Sequence, residues 1–253
     1  MSTDMTPFYL DWTFWAAALA LVAIVLSQLP PLHLLLRPKR LDVEVHSRIG
    51  VTHMVGNPNA SVVVSIRNTG GRELRVRSLS LDVLRNGKPL GVLPAQNYFE
   101  TPSSQSSVLF VPLSLKPGET WAHSVLFLNF FDRLTEKQFR ENVSALKSDI
   151  RDKLRARAED DRNLVLANAA LVEPFQRLFE TLFVWQPGEY VCELKVNAEP
   201  GSASYSKKYR FTLYESDTSD LRQHCDDYKH GGGLVYTFEG HGSIYIPLTE
   251  HVA

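Results

Sequence analysis

The alternation of apolar and polar positions changes character twice along the chain. Trp12–Leu29 is an apolar run of 18 residues without a charge, and beyond Pro30 and Pro31 it resumes through Leu32–Leu36 with His33 as its one polar member. As a helix, such a run rises about 27 Å, slightly less than a roughly 30 Å hydrocarbon layer. Trp12–Leu36 therefore reads as a membrane-spanning helix, kinked near its inner end by the two prolines. From Leu41 the period switches to two. Leu41, Val43 and Val45 alternate with polar neighbours, as do Val62, Val64 and Ile66, then Leu79, Leu81 and Val83, the pattern of half-buried antiparallel strands.

Turn chemistry separates these runs. Asn68-Thr69-Gly70-Gly71 and Asn86-Gly87 follow two of them, and Asn-Gly favours the positive φ values of a tight hairpin. Lys116-Pro117-Gly118-Glu119 precedes Thr120–Leu128, and Gln186-Pro187-Gly188-Glu189 precedes Tyr190–Val196. In both, Pro presets φ at the first central position and Gly accepts the positive φ of the second. Further strands are expected at Tyr209–Tyr214, Leu234–Phe238 and Ser243–Ile246.

Between the two Pro-Gly-Glu signals the apolar residues follow helical spacing. Phe139, Val143, Leu146, Ile150 and Leu154 share one helical face. Thr135–Gln138 fits a capping box, with Leu134 and Phe139 placed as a hydrophobic staple. A polar break at Asp160–Asn163 leads to a second apolar stretch, Leu164–Phe183, interrupted by Pro174. These features predict a helical hairpin at about 134–184, inserted between two strands.

Many short strands at this spacing suggest an antiparallel sandwich. The runs VVVSIRNTGGRELRVRSLSLDVLRNGK, LKPGETW and QPGEYVCELKV resemble bacterial domains of the immunoglobulin and fibronectin type III class. Tyr190-Val191-Cys192 is similar to the tyrosine corner of such domains, with Tyr two residues before the Cys of a late strand. The resemblance implies a mainly β fold: an N-terminal transmembrane helix, then an Ig-like antiparallel β-sandwich interrupted by the helical hairpin. The first cysteine of the family pattern is missing, so the resemblance implies no inter-sheet disulfide. Such folds host unrelated functions, so it implies no activity either. The expected layout is a short tail at 1–11, the spanning helix at 12–36 and the sandwich domain at 37–253.

Charge sets the expected topology. Asp4 and Asp11 precede or border the apolar run, no Lys or Arg does, and Arg37, Lys39 and Arg40 follow it at once. Phe8, Tyr9, Trp12 and Trp15 form an aromatic belt at the other end. Cations are retained on the inner side, so the N-terminus is expected outside and the main domain in the cytoplasm, a single-pass protein of a bacterial inner membrane. A cleaved signal peptide needs a basic start and small residues at a cleavage site, and the sequence has neither. The formal net charge of −1 argues against nucleic acid as a partner. Cys192 and Cys225 form no disulfide framework; they would be free thiols inside, with one bridge conceivable if the domain lay outside.

Chemistry is sparse. Along the predicted helix Arg140, Lys147, Arg151 and Arg155 make a stripe beside the apolar face, with Glu141, Asp149, Asp152 and Glu159 beyond it. An amphipathic helix with a solvated rim explains this; so does a partner surface, and the mixed charge favours a protein over lipid. His224, Cys225 and His230 are residue types that bind zinc, yet their spacing matches no zinc signature. Cys225 beside His224 makes a poor nucleophile–base pair, because adjacent side chains rarely face each other productively. Gly231-Gly232-Gly233 lacks the Lys-Ser/Thr of a phosphate loop. The reading is a noncatalytic scaffold or adaptor without a cofactor, anchored in the bilayer and engaging a protein partner or membrane complex. Ala16-Ala17-Ala18 and Ala20 would permit the anchors to associate into an oligomer. The alternatives are an envelope-facing ligand-binding domain of opposite topology and a His-rich metal-dependent hydrolase.

Overall fold

A computed structural model describes residues 12–28, 37–101, 104, 106–158, 161–236 and 242–251. The first element, α1, is Trp12–Gln28, 17 residues without a charge. Its rise is about 26 Å, short of a roughly 30 Å hydrocarbon layer. Among the described residues no helix is long and apolar enough to cross a membrane. This overturns the single-pass anchor, and with it the inner-membrane location and the orientation drawn from flanking charge. Trp12 and Trp15 are exposed on α1, and Arg37, Lys39 and Arg40 are exposed in the segment before the first strand. Pro30 and Pro31 lie outside the described residues.

The strands are β1 Leu41–Met54, β2 Asn57–Asn68, β3 Leu74–Arg85, β4 Lys88–Phe99, β5 Val108–Leu109, β6 Leu113–Leu115, β7 Thr120–Leu128, β8 Gly188–Glu199, β9 Tyr205–Leu213, β10 Ile244–Pro247 and β11 Thr249–Glu250. They form one antiparallel sheet in the order β10-β1-β2-β7-β4-β3-β8-β9-β11, with β5 on β4 and β6 on β3. An immunoglobulin-type sandwich of two separate sheets is therefore not what the chain builds. Two devices curl the sheet into a nearly closed barrel. The first half of β4 pairs with β3 (Ser80↔Pro94 to Arg85↔Lys88), and its second half pairs with β7 (Ala95↔Phe127 to Phe99↔Ser124). A register shift between Ala95 and Asn97 marks the bend, where an extra residue increases local twist. At the opposite seam β10 lies on β1, and Leu248 donates its N–H to the Ser47 carbonyl at 2.8 Å. Two residues later β11 lies on β9, so consecutive strands bridge the sheet's two ends.

Alternation fills the interior. Ile49, Val51, Val62, Val64 and Ile66 face Leu79, Leu81, Val125, Phe127, Leu194 and Phe211 within one buried cluster. Asn86 and Gly87 take φ of 48° and 77°, both positive as a two-residue hairpin turn of the primed type needs. At Lys116–Glu119 the Glu119 N–H returns to the Lys116 carbonyl at 3.0 Å and Gly118 has φ 83°. The second Pro-Gly-Glu signal differs: Gly188 has φ 146° and the Glu189 N–H is taken by Asn86 Oδ1 at 3.1 Å. Tyr190 does donate its hydroxyl back to the Gln186 carbonyl at 2.7 Å. That local bond forms without the sandwich it would accompany in an immunoglobulin domain.

The helices α2 (Arg133–Ala156), α3 (Ala169–Leu182) and α4 (Glu215–Asp226) gather at the barrel end where β1, β7 and β9 finish. Trp185 fixes this cap by donating Nε1–H to the Thr52 carbonyl at 2.7 Å, and the Thr218 hydroxyl donates to the Trp185 carbonyl at 3.1 Å. Residues 231–236 form turns with an isolated Gly232–Tyr236 bridge, so a strand does not begin at Leu234.

Candidate functional site

The helical insert is mounted by few side chains. On α2 only Leu146 and Ile150 are buried, with Phe139 and Val143 partly covered. The helix begins earlier than the Thr135 cap predicted: Asp132 accepts from the N–H groups of Leu134 at 2.9 Å and Thr135 at 3.1 Å. The Thr135 hydroxyl donates to the same carboxylate at 2.6 Å, and these bonds hold the Asp132 pKa below the usual carboxylate range. Phe131, not Leu134, meets Phe139, with ring centroids 5.4 Å apart.

The chain after α2 is strapped to it. Lys153 donates to the Leu166 carbonyl at 2.9 Å and Arg157 to the Asn163 carbonyl at 3.0 Å. Asp149 receives Lys153 at 2.9 Å and the Asn168 N–H at 2.9 Å, and the Lys153 bond leads the effects that depress its pKa. Arg140, Lys147 and Arg151 all lie in solvent on α2. Arg140 pairs with Glu136 one turn back, an exposed contact of small energetic weight. Lys147 and Arg151 have no ion pair among the described residues.

The residues considered for zinc do not converge. The His224 ring is buried 5.1 Å from that of His53, and His230 Nδ1 donates to the Val165 carbonyl at 3.1 Å. Cys225 is half-buried and its pKa is pushed up to about 11, first by desolvation and then by the charges of Asp226 and Glu180. Among the described residues no group of three or more His, Cys, Asp or Glu side chains could hold a metal ion. Burial likewise pushes the Cys192 thiol up to about 12, so neither sulfur is a ready thiolate at neutral pH. The triglycine serves packing: a Cβ on Gly231 would lie 2.8 Å from Ile150 Cδ1, and its φ is 78°.

His53 is a buried polar residue that strand periodicity did not reveal. Its Nδ1 accepts the Gly56 N–H at 3.1 Å, which leaves Nε2 to donate to the Leu221 carbonyl at 2.8 Å. Phe179 and Phe183 pack on it at 5.1 and 5.5 Å, and the Arg222 guanidinium lies 4.9 Å from the Phe183 ring centroid. This stack joins α3 and α4 to β1 as a wall of the cap.

Beside the start of α2 the surface turns apolar. Phe130 is 67% exposed, Leu134 65%, Val92 50% and Leu90 36%. Asn129 donates to the Val92 carbonyl at 2.8 Å, which holds the start of the β7–α2 connection, next to Phe130, against β4. Sequence reasoning missed this patch because its halves are 37 residues apart along the chain at that bond.

No protein-family model matches the chain. No curated protein matches it either. Among solved structures it is similar to a protein from Archaeoglobus fulgidus at 9% identity, over 70% of this chain and 97% of that one, with a TM-score of 0.27. A likeness that slight transfers neither fold nor function.

Proposed function

We propose that the chain is a noncatalytic binding module in which the barrel holds the helical insert out to a protein partner. The observation that carries this reading is the exposed group Leu90, Val92, Phe130 and Leu134. At these exposures the four side chains leave on the order of 400 Å² of apolar surface in water, the size at which a patch on a monomer is often functional. Burying that surface is worth several kcal/mol before the costs of association, so a partner with an apolar centre gains by covering it. Arg140, Lys147 and Arg151 on the same helix supply charged groups at the rim, where they steer encounter and set register more than they add affinity.

Photo-crosslinking tests the proposal. A photoreactive residue is placed at Leu134, at Lys147 or, as a control, at Lys195 on the outer face of β8. A common protein adduct from positions 134 and 147 that is absent from 195 supports the reading. Adducts of equal yield at all three positions, or none at 134 and 147, sink it.

A further inference from the structure

The two outer faces of the barrel differ in chemistry. The face formed by β3, β8 and β9 is studded with charge: Lys195 pairs with Asp82 and lies near Glu193, and Arg77 pairs with Glu199. The face formed by β10, β1, β2 and β7 is occupied across its centre by Gly50, Ser61, Val63, Ala122, Ser124 and Leu126. There a groove of 390 Å³ runs between Tyr245 and Phe99, with Glu100 the one acidic residue among the described residues that line it. That volume lies within the range of small-molecule clefts, roughly 300–1,000 Å³.

Two features show that the groove is built rather than merely left over. Gly50 pairs across the strands with both Tyr245 and Ser61. A Cβ there would stand 3.2 Å from Tyr245 Cε1 and would collide with Ser61 Oγ. The missing side chain thus lets the tyrosine ring lean over the sheet while 63% of the residue stays exposed. Ser61 is the second feature. It is only 9% exposed, lines the groove, and its hydroxyl has no hydrogen-bond partner among the described residues. The hydroxyl itself still reaches solvent through the groove, so it can exchange hydrogen bonds with a ligand there.

We infer that this groove binds a neutral saccharide, with Tyr245 as the platform for a sugar ring and Ser61 and Ser124 as hydrogen-bonding partners at its floor. A pyranose has one face of C–H groups and an edge of hydroxyls. The C–H face packs on an exposed aromatic ring and on Val63 and Leu126, and the sugar hydroxyls exchange hydrogen bonds with serine hydroxyls, which both donate and accept. Among the described lining residues there is no Lys or Arg, and Glu100 is acidic, which disfavours an anionic ligand; His123 is a further polar group at the edge. The site shares no residue with the proposed docking surface and stands independently of it.

The test is an amide-resolved NMR titration of the full chain with chitotetraose, maltotetraose and cellotetraose, each at millimolar concentration. At least one sugar is expected to shift the Gly50, Ser61 and Ser124 amides. Its binding should weaken about tenfold in Tyr245→Ala, the loss of one aromatic contact face. Ser61→Ala should weaken it several-fold with an unchanged spectrum elsewhere, which keeps the test valid if Tyr245→Ala folds poorly. No shift with any of the three sugars overturns the inference. So do shifts that survive both substitutions, and so do changes at these amides that follow protein concentration alone, which would mark the face as a contact between copies of the chain.

Discussion

Asn68 is fully buried at the end of β2, and every polar atom of its side chain is in use. Nδ2 donates to the carbonyls of Arg72 and Leu115, both at 2.8 Å, and Oδ1 accepts the Gly70 N–H at 2.9 Å. Its backbone joins the same junction, with Asn68 N–H to the Glu119 carbonyl at 3.0 Å and Gly118 N–H to the Asn68 carbonyl at 2.8 Å. One residue thereby ties the β2–β3 turn to the β6–β7 turn. In Asn68→Ala three bonds vanish. The Arg72 carbonyl belongs to an exposed residue and can recover water, whereas Gly70 and Leu115 are buried. Stranding two buried groups costs about 1–3 kcal/mol each, which places the loss at about 3 kcal/mol. Asn68→Asp keeps the shape but turns a carboxylate toward two carbonyls, so it should cost at least as much. Urea unfolding followed by circular dichroism reads the effect directly. With a slope of roughly 2–3 kcal/mol/M the midpoint should fall by about 1 M at an unchanged slope. A loss below about 1 kcal/mol for Asn68→Ala would refute the argument that this junction is a satisfied, water-free node.

Gly56 has φ 84°, and a Cβ there would lie 2.5 Å from the Phe179 carbonyl oxygen, so Gly56→Ala should destabilise by roughly 2 kcal/mol or more and raise hydrogen exchange in α3 first. A folded Cys225 at about 11, against an ordinary thiol value of 9.0, should react with maleimide about a hundredfold more slowly than a free cysteine at pH 8, and Cys192 should react only on unfolding. Equal labelling rates for the two thiols would refute the burial argument. The same shifts set a pH dependence. Unfolded thiols lose protons above pH 9 while the folded ones hold theirs, so this contribution to stability is complete below 9 and declines as pH rises toward 11 and 12. A urea midpoint that stays constant from pH 8 to 11 would contradict it.

What the amino-acid pattern revealed follows the range of the forces involved. The strands at Val62–Ile66, Leu79–Val83 and Tyr190–Val196 were legible because each buries one face along its length. The strand β4 was not, since Leu90 and Val92 stay exposed and it changes partner from β3 to β7 near a register shift, so no single period runs through it. Barrel closure was equally hidden: it rests on β4 and on the β10–β11 crossing, and neither is a local property. Tyr190-Val191-Cys192 carried a true local bond and a misleading global implication. Leu234–Tyr236 is apolar enough for a strand, yet the close approach of Gly231 to Ile150 and the positive φ of Gly231 and Gly233 wind it into turns. Asp132 displaced Thr135 as the cap because its carboxylate accepts two N–H groups and the threonine hydroxyl as well. The uncharged helix at Trp12–Gln28 formed as its sequence suggests, but its length does not sustain the crossing inferred from it. On the candidate surface, Arg140, Lys147 and Arg151 were readable from helical spacing alone. The apolar patch beside them depends on Asn129 meeting β4, which only the folded chain shows.

The central claim is that the helical end of the barrel is a protein-docking surface, and affinity purification of paired chains tests it most directly. One chain is native; the other carries Phe130→Asp, Leu134→Asp, Arg140→Glu, Lys147→Glu and Arg151→Glu, all at exposed positions, so its circular dichroism should match. The account predicts a protein recovered in stoichiometric amount with the native chain and lost with the variant. A native chain recovered alone, or a partner retained equally by both, would contradict it.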